Sequence, residues 1–136
     1  MADLNTLGVV TAAERGAEMI LKHPATGADL DITFDVLGFD AEAVVQAGRE
    51  FDRAEAKRTP EDRARDGESA MSRRNVALAV AAVTGWRNVQ RGDADVPFSK
   101  EAASEILSNP NFVWMIGQIV AFGGKRQNFF PASSGD

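Results

Sequence analysis

The chain has 136 residues, 44% of them apolar, which suits one domain with a real core. Its net charge of −5 lacks the basic surplus that nucleic-acid binding usually needs, so no nucleic-acid partner is expected. There is no cysteine, which removes disulfides, thiolate metal sites and cysteine nucleophiles and fits a reducing cytosol; one histidine leaves transition metals with little but carboxylates.

Residues 1–16 read as a flexible leader, although Thr11 to Glu14 has the spacing to cap one helical turn. No basic-then-apolar segment is visible near Asp3, so no signal peptide is expected. Ala17 to Val36 reads as a β-hairpin. Leu30, Ile32, Phe34 and Val36 alternate with polar residues, Met19 and Leu21 do so less cleanly, and His23 to Ala28 is rich in turn formers, Pro24 and Gly27 among them. A lone hairpin is marginal in water, so its apolar face must pack on helices or its edge must pair, with a second copy as one option.

Asp40 is placed to cap a helix with a thin apolar stripe of Val44, Ala47, Phe51 and Ala54. Residues 57–74 are mostly charged and read as a solvated helix or loop, with a helix start at Thr59-Pro60-Glu61-Asp62. Val76 to Thr84 reads as a helix stopped by a left-handed Gly85, with Trp86 folded back over its end. Arg91 to Asp95 reads as a loop. Pro97-Phe98-Ser99 opens a helix capped by Ser99, with Ile106 and Leu107 on its buried side. Asn109 and Pro110 open another, as cap and first residue.

From Phe112 to Phe122 the chain is apolar with one polar exception, Gln118, and Gly123-Gly124 ends the run. It is shorter than the roughly 20 residues that cross a bilayer, so no membrane contact is expected. A helix apolar all round is buried or sits in an interface. The candidate partner-binding residues are therefore Phe112, Val113, Met115, Ile116, Ile119, Val120 and Phe122, and residues 125–136 read as a flexible tail. The expected architecture is α+β and mostly helical: one domain over 17–124, with an N-terminal hairpin packed on about four helices.

No nucleophile elbow, phosphate loop or ligand-like spacing of carboxylates is present, and His23 precedes a proline in a turn. No catalytic residue, metal or cofactor is expected, and the chain does not read as an enzyme.

Leu21-Lys22-His23-Pro24 with Thr26-Gly27, then Val83-Thr84-Gly85-Trp86, then Pro97-Phe98-Ser99, in this order of elements over roughly residues 17–122, resemble the tail assembly chaperones of long-tailed bacteriophages and prophages. The resemblance implies a non-enzymatic protein of the host-cell cytoplasm. Such a protein binds the tape measure protein, a long helical apolar chain, keeps it soluble, promotes polymerisation of the tail tube around it, and is absent from the finished particle. A structural tail or neck subunit retained in the virion is the alternative. The resemblance also implies a longer product of −1 ribosomal frameshifting whose extra domain recruits tail tube protein. Gly123-Gly124-Lys125 can be spelled by a slippery heptamer, and the residues after it would then be dispensable for the core fold.

Overall fold

The computed structural model describes residues 1–65 and 69–130. Its centre is a three-stranded antiparallel sheet in the order β1-β2-β3. Strands β1 (Ala17–Lys22) and β2 (Asp29–Val36) form the expected hairpin. Met19, Leu21, Phe34 and Val36 are buried, while Ile20 and both lysine and acidic neighbours on β1 face water. His23 organises the turn as a polar surface residue. Its Nδ1 accepts from the Ala25 and Thr26 amides, its own amide donates to Ala28 O, and Gly27 takes φ +74°.

The hairpin is not a separate unit, because a third strand follows helix α4. That helix (Ala70–Ala82) ends at Ala82, and β3 (Val83–Arg87) pairs with β2 through Val36↔Val83, Asp35↔Gly85 and Phe34↔Trp86. Gly85 is therefore a strand residue rather than a helix stop. A Cβ there would lie 2.7 Å from Asp35 Oδ2, so a larger residue would have to turn the Asp35 carboxylate aside. Two β-branched residues and a tryptophan suit a half-buried pleat better than a helix end. Beyond Trp86, the expected loop contains a small ribbon of β4 (Gln90–Arg91) and β5 (Ala94–Asp95), turned by Gly92 at φ +63°.

Helix α2 (Glu42–Ala56) starts after Ala41, so Asp40 is not its cap. The Glu42 amide instead donates to Glu14 Oε1 at 2.9 Å, a cap delivered from another helix. Val44 is buried and Phe51 half-buried, but Ala54 is exposed. The charged segment carries α3 (Pro60–Arg65), where Thr59 Oγ1 accepts from the Asp62 amide and Asp62 accepts from the Thr59 amide. The helix starts where the sequence placed it, and the capping is reciprocal. Ser99 caps α5 (Lys100–Leu107) through the Ala102 amide, as expected, and Ile106 and Leu107 are buried. Asn109 and Pro110 open a 3₁₀ turn (Pro110–Phe112) that leads into α6 (Val113–Gly123). Helix α4 packs against α2, α5 and α6, and α6 also lies against β1.

Both ends of the described chain dock on this core. Val9–Arg15 form α1, with Ala12 and Ala13 buried, where the sequence suggested a leader or a single turn. After α6, Arg126–Phe129 make a 3₁₀ turn that buries Phe129 beside Phe122, their ring centres 5.5 Å apart. Arg126 pairs with Asp40 at 2.7 Å and Arg15 donates to Phe129 O. Residues 126–130 are thus part of the fold, not a free tail; the remainder of that expected tail, 131–136, lies outside the described residues.

Candidate partner-binding site

Helix α6 divides the seven residues singled out on it. Met115, Ile116 and Ile119 are core residues at 8%, 5% and 0% exposure, so no partner reaches them in this fold. Phe112, Val120 and Phe122 are half-buried, and Arg91 lies over the Phe112 ring at 5.9 Å. Only Val113 stands free, 61% exposed. The sequence pattern overestimated the spare apolar surface, because sheet, α4 and α5 together cover more of α6 than a hairpin alone would.

The outward face of α6 is instead made of Val113, Gly117 and Ala121, four residues apart and all exposed. A Cβ at Gly117 would meet nothing within 4 Å, so no contact within the chain calls for glycine there. Beside this face, between α6 and the edge of β1, runs an open groove of about 490 Å³. Met19, Ile20, Ala121 and Phe122 give it an apolar floor, while Lys22, Gln118, Lys125 and Asn128 line its polar margin. Gln118, the polar exception in α6, closes one end. Its Oε1 accepts from the Lys22 amide and its Nε2 donates to Lys22 O, each at 2.9 Å. A polar residue in an apolar helix was visible in the sequence; that it satisfies a strand edge was not.

In comparisons with family models, curated proteins and solved structures, nothing matches this chain.

Pro24, Gly27, Trp86, Pro97, Phe98 and Pro110 do not line the groove. Pro24 and Gly27 shape the exposed hairpin turn. Trp86 sits between Phe34 and Phe98, with ring centres 5.7 and 5.0 Å away, and its Nε1 donates to Val96 O at 2.8 Å. This keeps the expected Phe98 contact, but a strand and not a helix stop delivers the ring. Pro97 is exposed beside Phe98, and Pro110 takes the first position of its 3₁₀ turn.

Lys100 is a structural residue that the sequence reading missed. From the first turn of α5 its Nζ donates to Val80 O (2.9 Å) and Val83 O (2.8 Å), with a longer contact to Ala81 O. It thereby satisfies the carbonyl end of α4, which has no basic residue in its own last turn. Burial holds its ammonium below the usual lysine range. Leu4, Leu7 and Val10 are further exposed apolar residues at the N-terminal end. Among the described residues no group of three or more histidines and carboxylates gathers as metal ligands, and no helix is long and apolar enough to cross a membrane.

Proposed function

We propose that this chain is a tail assembly chaperone of long-tailed bacteriophages or prophages, acting without catalysis in the host-cell cytoplasm. It holds the tape measure protein in soluble form while tail tube subunits polymerise around it. The open apolar groove along α6 carries this reading. A long helical client lays one apolar stripe into such a groove, and the absence of side-chain bulk at Gly117 and Ala121 lets its backbone come close. The groove is shallow and edged with polar groups, which suits a client that must later be released. The segments that carry the resemblance form the hairpin turn, strand β3 and the entry to α5.

A longer product made by slippage at Gly123–Lys125 would lose Phe129 and the Arg126–Asp40 pair. We therefore expect its extension to restore an apolar residue at the Phe129 position besides recruiting tail tube protein. Gly123 has a reason within the protein as well, since a Cβ there would lie 2.4 Å from Phe39 Cε1.

The reading expects a tape measure gene just downstream of this one, and co-expression with its product tests the proposal. The expected result is a soluble complex, lost in Val113→Glu and Ala121→Glu while the melting temperature holds. A tape measure protein that stays insoluble beside the wild-type chain removes the chaperone reading. Recovery unchanged in both variants places the client elsewhere. Finding the chain in purified virions selects the structural tail or neck subunit instead.

A further inference from the structure

The solvent-facing row of β1 is complementary to itself. Met19 and Leu21 point into the core, so Glu18, Ile20 and Lys22 share the outer face of the strand. Strand β2 covers one edge of β1, and no strand lies on the other among the described residues. At Lys22 both backbone groups point to that free edge, where Gln118 meets them. Alternate residues of a strand turn their backbone groups to the same edge, which gives Ile20 and Glu18 the same direction. The register slip between Ile20 and Lys22 does not upset this. Ile20 faces Thr33 and Lys22 faces Asp29, so the surplus residues lie in β2 and β1 stays regular.

We propose that this edge pairs with the same edge of a second copy of the chain, antiparallel about Ile20, and that Gln118 gates it. In that register Ile20 meets Ile20 of the second copy, and each Glu18 faces a Lys22. The charge row reads the same from both sides, which is the condition for a closed two-fold contact. Ile20 is 50% exposed and gains a β-branched cross-strand neighbour. The present partners of the two charges are Arg87 and Asp29, in solvent-exposed ion pairs, which are weak and give way readily. The Gln118 amide offers Lys22 one acceptor and one donor, as the backbone of a paired strand would. Gln118 and the second copy's strand therefore compete for the same two groups, and Gln118 must swing aside for the pair to close. This edge is also one wall of the groove proposed for the client, so a paired edge and a bound client exclude each other there. Self-association is measured with no client present and is decided apart from that reading.

Sedimentation equilibrium of the full chain and four variants tests it. The wild type is expected to dimerise reversibly and Gln118→Ala to do so more tightly. Glu18→Lys and Lys22→Glu place like charges opposite each other and are each expected to be monomeric. Mixed in equal amounts, those two variants are expected to form a heterodimer, because each lysine then faces a glutamate. The exchanged double variant Glu18→Lys/Lys22→Glu is expected to dimerise like the wild type. All the charge changes lie at exposed positions, so circular dichroism should show the native fold throughout. A monomeric wild type and Gln118→Ala at the highest concentration reached, single variants that still dimerise, or a mixture that stays monomeric would each overturn the proposal.

Discussion

Three side chains hold joints of this fold that no single element could hold. Trp86 fills the space between Phe34 and Phe98 and satisfies Val96 O, so it ties the sheet to the segment before α5. Trp86→Ala is expected to lower the unfolding free energy by about 3 kcal/mol, read from urea melts. Trp86→Phe should keep most of the ring packing and lose about 1 kcal/mol with the hydrogen bond. Lys100→Met removes the donor shared by the α4 carbonyls while keeping much of the aliphatic stem. A loss of about 1–2 kcal/mol is expected in the same measurement. Asp40 gives a pH signature. Hydrogen bonds from Arg126 hold its carboxyl below the usual range, outweighing the opposing effect of burial. A carboxyl lowered in the folded state contributes its full stabilisation above its unfolded pKa and loses it as pH falls through the folded value. The stability gap between wild type and Asp40→Asn should therefore be steady near about pH 6 and shrink on acidification to about pH 2.5.

At the level of elements, α6 contains two glycines with opposite roles. Gly117 faces open space, so alanine there should raise stability by about 0.5–1 kcal/mol through helix propensity alone. Gly123 lies against Phe39, whose amide also donates to Gly123 O at 2.8 Å. Alanine at 123 has to displace that ring and should cost about 1–3 kcal/mol. Thermal melts of the two variants, moving in opposite directions, check both statements. Periodicity alone gives no way to tell the two apart, since each glycine sits in the same apolar run. The same limit explains Val83–Arg87: five residues after a helix are too few to show a period of their own, and pairing with β2 decides them.

For the whole molecule, the two termini act together. Helix α1 supplies Glu14 to cap α2, and it meets the C-terminal turn through Arg15 and the packing around Gly38 and Phe129. A chain ended after Lys125 loses the buried Phe129 ring and the Arg126–Asp40 pair at once. It should lose about 3 kcal/mol or more, measured by denaturant unfolding, where a dispensable tail would cost nothing. Residues 1–16 and 126–130 looked detachable because each is short and carries no sustained period of its own. The two meet across the end of α6, and each also docks on the core, through Glu14 at the start of α2 and through Phe129 on Phe122.

By itself the sequence determined the local signals. The alternation in β1 and β2, the His23–Ala28 turn, the caps at Thr59, Ser99 and Asn109, and the apolar run of α6 are set by near neighbours, and they stand in the structure where they were read. Tertiary structure alone decided which apolar residues of α6 remain outside, because that depends on how much of the helix the sheet, α4 and α5 cover. It also decided that Gln118 meets the edge of β1 from 96 residues away and that Lys100 closes α4. A cap within three or four residues leaves a pattern in the chain; a cap supplied from a distant element leaves none, because only the packed fold sets that distance.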